Sequence, residues 1–193
     1  MLRTLYDWTL RLAETRYALW ALAVVSFVES SVFPIPPDVL LIPMILARPG
    51  QAWLIASVCT IASVAGGLAG YAIGAFLFQS VGAPVLEFYG ALAQFDALSA
   101  RFNEQGAWAV LFAGMTPFPY KVITIFSGAT GLDIGVFMAA SVVARGVRFF
   151  LIAELLRRYG APMRAFIERR LGMLMTLAFV LLIGGFAAAR YLV

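Results

Sequence analysis

Glu29-Ser-Ser-Val-Phe-Pro-Ile-Pro-Pro-Asp38 interrupts an apolar run with two carboxylates and three prolines, Pro34, Pro36 and Pro37. No charged residue occurs from Tyr17 to Val28 or from Val39 to Ala47. Proline lacks a backbone donor and clashes with the preceding turn, and the residue before it is pushed toward extended geometry. The pattern predicts helix, break, helix. Neither arm cleanly reaches the ~20 apolar residues that a bilayer span requires. Residues 17–51 therefore read as a re-entrant hairpin that enters and leaves on one side, closed by Arg48-Pro-Gly-Gln51. Non-helical backbone at that depth must be buried in protein or line a wet cavity. A second break, Thr116-Pro-Phe-Pro-Tyr-Lys121, interrupts residues 106–133 with Pro117 and Pro119, and carries a cation where the first carries acids.

Composition sets the solvent. Of 193 residues, 63% are hydrophobic and 12% charged, with a mean hydropathy of +0.93, against about 25% charged in ordinary soluble domains. The chain is read as one all-α polytopic membrane domain. It contains no histidine, which excludes a Ser-His-Asp triad, a His-ligated metal and a histidine phosphatase. No cofactor, metal or enzymatic activity is expected. The single cysteine, Cys59, admits no intramolecular disulfide. Asp7 and Glu14 interrupt the N-terminal region, which is not expected to be a removable signal peptide.

Residues 1–16 read as an interfacial amphipathic helix, with Leu2, Leu5, Leu12 and Ala13 on one face and Arg3, Asp7, Arg11 and Glu14 on another. Residues 52–78 carry no charge and form a candidate span. In it Gly66, Gly70 and Gly74 lie on one stripe, with Gly67 beside them, a spacing that admits another helix backbone at close range. Residues 79–105 are a polar, net negative insert with interspersed aromatics, read as one or two interfacial helices starting after Gly82-Ala-Pro84. Residues 134–156 are a second span, 157–170 a basic loop, and 171–193 a terminal span.

Arg3, Arg11, Arg16, Arg48 and the arginines of 157–170 all fall on one side under this reading, opposite the acidic insert. The positive-inside rule then places the N-terminus in the cytoplasm. One hairpin enters from each side, and each is paired with a span. That is an inverted repeat, a plan by which secondary transporters build a midplane site.

Ionisable groups at membrane depth are expensive and mark pathways or sites. Five qualify: Glu29, Asp38, Lys121, Arg145 and Arg148. Arg145 and Arg148 share a helix face, and guanidinium forks suit phosphate oxygens. Lys121 adjoins a helix N-terminus able to add donors. Together the three are candidates for binding a phosphate. Carboxylates withdrawn from water take up protons more readily, so Glu29 and Asp38 are candidates for proton coupling. Alternatively, the same five groups form buried ion pairs that hold the hairpins together.

The pattern Glu29-x4-Pro34-x-Pro36-x-Asp38, the second proline tip ending at Lys121, and Ala144-Arg-Gly-Val-Arg-Phe149 ahead of Tyr159-Gly160 resemble the DedA family of VTT-domain membrane proteins. The likeness covers roughly residues 24–160 and is strongest to the short subfamily with a Thr-Pro-x-Pro-[Phe/Tyr]-Lys tip. It implies two re-entrant hairpins and proton-motive-force-linked transport of a lipid phosphate, with undecaprenyl phosphate the leading substrate. By position Glu29 and Asp38 match the family's essential acids, and Lys121, Arg145 and Arg148 its basic residues. The chain departs from the Gly-Arg-Phe-x-Pro pattern of many members: Met115 follows Gly114, and Lys121 stands where an arginine closes the motif. The expected partners are a phosphate-bearing membrane lipid and protons, not nucleic acid, with a homo-oligomer left open. A proton-coupled carrier of a small ion or solute, and a non-transporting structural membrane protein, are the alternatives.

Overall fold

The computed structural model describes residues 17–31, 36–115, 119–160 and 162. The amphipathic helix expected over 1–16, the span expected over 171–193, nearly all of the basic segment beyond residue 160, and Pro34 and Pro117 lie outside the described residues. What is described is helical, with no strand. In chain order come α1 (Ala18–Ser31), α2 (Asp38–Ala47), a 3₁₀ turn (Pro49–Gln51), α3 (Ala52–Leu77), a π turn (Phe78–Gly82), α4 (Ala83–Phe88), α5 (Leu92–Glu104), α6 (Gly106–Met115) and α7 (Tyr120–Ala129). The last described helix, α8, spans Ile134–Gly160.

Two helical stretches are long and apolar enough to cross a membrane, Pro49–Phe88 and Ile134–Gly160. The other apolar helices are short. At 1.5 Å per residue, the 14-residue α1 is about 21 Å long, and the 10-residue α2, α6 and α7 about 15 Å each. The hydrocarbon core is ~30 Å thick.

Local chemistry ends these helices. At the end of α1, Ser31 Oγ donates to the carbonyls of Phe27 and Val28, both at 3.1 Å, and the Val28 carbonyl is one that the last turn would otherwise leave open. Pro37 is the N-cap of α2, and Pro119, in extended geometry, that of α7. Gly131, at φ +66°, stops α7: the Leu132 amide reaches back to the Ser127 carbonyl at 3.0 Å and that of Gly131 to Gly128 at 3.2 Å, a Schellman arrangement. Asp133 then opens α8 by accepting from the Val136 amide at 2.9 Å.

Two expected boundaries move. The helix does not restart at Gly82-Ala-Pro84. It continues from α3 through the π turn into α4, because the wider i→i+5 pairing adapts the ladder to Pro84, which donates no hydrogen bond. The break comes instead at Gly90, φ +65°. Likewise α8 does not stop at 156 but runs to Gly160, so Arg157 and Arg158 are helical. Arg158 pairs with Glu154 one turn back, and no helix breaker intervenes before Gly160-Ala-Pro162.

α3 is the common wall. A methyl group built on Gly66 would lie 2.1 Å from the Phe27 carbonyl oxygen of α1. One on Gly74 would lie 1.9 Å from the Ile125 carbonyl of α7, and one on Gly128 of α7 would lie 1.9 Å from the Tyr71 carbonyl of α3. Both crossings are therefore backbone against backbone, the close approach that the glycine stripe permits. Tyr71 donates its hydroxyl to the Leu132 carbonyl at 2.6 Å, and Asn103 of α5 donates to the Thr130 carbonyl at 2.8 Å, fastening the end of α7 to its neighbours. Two apolar clusters complete the packing, one around Leu22, Leu41, Ile45, Ile55 and Phe149, the other around Val110, Tyr120 and Phe137.

Candidate functional site

Four of the five ionisable residues singled out in the sequence are brought together as two ion pairs, both donated by α8. Arg145 reaches across to α1, where its terminal nitrogen lies 2.8 Å from Glu29 Oε2. Arg148, one turn along, places a terminal nitrogen 2.6 Å from Asp38 Oδ2 at the start of α2. The two carboxylates flank the first proline break, so α8 grips the chain just before it and just after it.

The first pair is the more enclosed. Arg145 is 1% exposed and Glu29 17%. An isolated charge so placed carries a desolvation cost of several kcal/mol, and only pairing with further hydrogen bonds offsets it. Those bonds are present. Arg145 Nε donates to Ser63 Oγ of α3 at 2.5 Å, and the terminal nitrogen also reaches Ser30 Oγ at 3.3 Å. Ser30 Oγ donates to Glu29 Oε2 at 3.1 Å, and the two serine hydroxyls share a hydrogen bond at 2.7 Å. The guanidinium carbon lies 4.6 Å from the ring centre of Tyr120 and 4.8 Å from that of Phe149, within the range of cation–π attraction. Arg145 thus binds elements from α1, α3 and α7 to its own helix.

The second pair is looser, with side-chain exposures of 23% for Arg148 and 22% for Asp38. Asp38 Oδ1 is buried and has no hydrogen-bond partner among the described residues. In each pair a single guanidinium nitrogen meets a single carboxylate oxygen, so neither uses the two-pronged geometry available to arginine. Lys121, the fifth residue, is half-buried in the first turn of α7 and forms no ion pair among the described residues. The acids and the arginines are therefore interleaved, rather than gathered into an acidic pair and a separate cationic pocket.

Pro36 and Pro37 precede α2, and Pro119 precedes α7, between the short helices of each half. Met115 closes α6 with half of its surface exposed. Among the described residues no group of three or more His, Cys, Asp or Glu side chains is placed to hold a metal ion.

Sequence reasoning passed over Ser30, Ser63, Tyr120 and Phe149. Serine in an apolar helix commonly bonds its own backbone, as Ser57 does here to Trp53, so Ser63 carries little signal by itself. Its place beside the glycine stripe of α3, facing the helix neighbours, was the available clue. Tyr120 and Phe149 stand inside the motifs quoted from the sequence, which gave them no role of their own.

An apolar groove of about 370 Å³ runs between α3 and α8, lined by Thr60, Val64 and Leu68 on one side and Met138 and Val142 on the other. Val64 adjoins Ser63 in sequence, and Val142 lies three residues before Arg145.

Residues 35–158 match the family model described as the VTT domain. The chain is 37% identical over 169 residues to an uncharacterized protein of Haemophilus influenzae, covering 86% of this chain and 88% of that one. It is 36% identical, with the same coverage, to an uncharacterized protein of Histophilus somni. No solved structure matches.

Proposed function

Because this chain belongs to the VTT-domain family, the domain of the DedA proteins, and carries apolar helices of membrane-spanning length, we propose that it is a transporter that flips a phosphate-bearing lipid and is driven by the proton motive force. Undecaprenyl phosphate or a related lipid is the substrate this reading favours. The observation that carries it is the pair of single-pronged Arg–carboxylate contacts on either side of the first break. A buried ion pair is weak evidence for stability, and a membrane protein that retains two at its centre invites a functional account. An arriving phosphate competes with the carboxylates for Arg145 and Arg148, and a proton on Glu29 or Asp38 weakens the carboxylate side of that competition. Lys121, without a described counter-ion, supplies a further cation.

The helix lengths support the re-entrant reading. About 21 Å and 15 Å for the arms of the first half, and about 15 Å for each arm of the second, fall short of the ~30 Å core. Two such broken pairs, each followed by a spanning helix, fit an inverted repeat. The N-terminus then lies in the cytoplasm of a bacterial inner membrane. The apolar lining of the groove between α3 and α8 is compatible with a lipid tail. A purely structural role for the ion pairs is favoured by one observation, the near-complete enclosure of Arg145.

The test is movement of undecaprenyl phosphate between leaflets of proteoliposomes, with and without a pH gradient. Wild type should show gradient-dependent flipping. Glu29→Gln, Asp38→Asn and Arg148→Ala should each abolish it while the protein stays inserted and folded. Normal flipping in all three variants would remove the ion pairs from the mechanism. Flipping that is lost only in variants that also unfold would leave them as structural pins.

A further inference from the structure

Alongside the direct contact of the buried guanidinium with its carboxylate, two hydroxyls link the same groups, and either can donate to the other. We infer that the Ser30–Ser63 pair is a reversible hydrogen-bond relay that reports the protonation state of Glu29 to Arg145. The inference rests on the proton-coupled reading above and adds two positioning residues to it.

With Glu29 ionised, the donors run in one direction. Arg145 Nε donates to Ser63, Ser63 donates to Ser30, and Ser30 donates to Glu29 Oε2, which also accepts from the Arg145 terminal nitrogen. Every hydroxyl proton points toward the carboxylate. A proton that reaches Glu29 through its 17% exposed side turns Oε2 into a donor toward Ser30. Ser30 must then rotate its own proton toward Ser63. Ser63 still accepts from Arg145 Nε and needs a new acceptor for its proton. A backbone carbonyl one turn earlier on α3 is suited to it, as the Ala56 carbonyl serves Thr60 at 2.8 Å on the same helix. No proton passes along the serines; their hydroxyls only rotate.

This arrangement answers a physical difficulty. Arg145 has almost no access to solvent, and a buried guanidinium stripped of its counter-charge is strongly destabilising. Hydroxyls that accept in both states keep it hydrogen-bonded while its ionic partner is neutralised. Arg145 is then held but no longer ionically paired, the condition in which an anion competes best for it.

The elements packed around α1 carry further charged and titratable groups. Arg145 faces Glu29 from α8, Tyr120 and Lys121 lie on α7, and the Arg148–Asp38 pair spans α8 and α2. On α3 the buried thiol of Cys59 is 3.2 Å from Ser26 Oγ, one turn before Ser30 on α1. Arg145 is the one of these that touches both the carboxylate and the relay.

Infrared titration of the full-length protein in lipid vesicles tests this. The carboxylic-acid carbonyl band that disappears in Glu29→Gln reports protonation of that residue. Ser30→Ala removes the hydroxyl that donates to the carboxylate, so the band's midpoint should rise by about one pH unit, a tenfold gain in proton affinity. Ser63→Ala deprives Arg145 Nε of its acceptor and makes the guanidinium depend more on Glu29, so the midpoint should fall by a similar amount. Ser63→Thr keeps the hydroxyl and should restore it. If Ser63→Ala does not reconstitute, Ser30→Ala and Ser63→Thr carry the test. Shifts in the same direction, or none in either alanine variant, overturn the relay. A wild-type Glu29 that never protonates overturns both the relay and the proton-coupled reading. A wild type that titrates as expected but moves no undecaprenyl phosphate overturns the substrate alone.

Discussion

Replacing Glu29 by alanine should be the most damaging single change at the ion-pair network. It leaves Arg145 charged, 1% exposed and without an ionic partner. Truncating one member of a buried pair costs about 3–5 kcal/mol, most of it the penalty on the charge left behind. The structure retains partial compensation in the Ser63 and Ser30 hydroxyls and the two ring faces. A loss of about 4 kcal/mol is therefore expected, roughly a thousandfold in the folded-to-unfolded ratio. Glu29→Gln keeps an acceptor oxygen for the terminal nitrogen and should lose about half of that, ~2 kcal/mol, so it remains folded. Glu29→Met with Arg145→Met removes both charges and fills the space with flexible apolar chains, so it should lie within ~1 kcal/mol of wild type. Asp38→Ala breaks a pair about a fifth exposed on each side and should lose only ~1 kcal/mol. Reversible unfolding in mixed micelles, followed by circular dichroism, measures all four. The reasoning is refuted if Glu29→Ala costs no more than Asp38→Ala, or if the double methionine variant costs as much as Glu29→Ala.

Three further outcomes are expected. Gly74→Ala and Gly128→Ala each place a methyl group 1.9 Å from a carbonyl oxygen across the α3–α7 crossing, so each should lose at least the ~1–3 kcal/mol typical of overpacking, read by the same unfolding assay, whereas Gly50→Ala, with open space around it, should be nearly neutral. Cys59 is fully buried, so maleimide should label it only as the protein unfolds, and label it faster in Glu29→Ala than in wild type. Lys121→Ala removes a cation that has no ion-pair partner among the described residues, so unfolding should change by less than ~0.5 kcal/mol while lipid flipping falls; a large stability loss would show that the lysine holds the fold together.

The broken helices were legible because proline acts locally. Its missing donor and its clash with the preceding turn are properties of the residue, so Pro36, Pro37 and Pro119 mark helix starts in sequence as they do in space. The charges at depth were legible for a similar reason, since carboxylates and guanidiniums stand out in apolar runs. Their partners were not. Arg145 meets Glu29 across 116 positions and Arg148 meets Asp38 across 110; both sets were visible, but only the packing of α8 against the first break decides which acid each arginine takes. Serines were illegible because the same side chain satisfies itself against its own helix in most settings. The misplaced boundary at Gly82-Ala-Pro84 has a different origin. Glycine and proline signal a break on average, but a π turn absorbs the proline without leaving the helix.

The glycine contacts of α3 bear on how the molecule can move. Side chains that interlock at a helix crossing behave like gear teeth, and one helix slides past another only by jumping a notch. At Gly66 against Phe27, and at Gly74 and Gly128 against Ile125 and Tyr71, there are no teeth. The surfaces meeting there are smooth main chain at close range, which resists being pulled apart but offers little resistance to tilting about the point of contact. α3 meets α1 at one such place and α7 at another. If the protein alternates between states as proposed, these are the places where α1 and α7 would tilt against α3, with the ion pairs of α8 holding the arrangement until one of them opens.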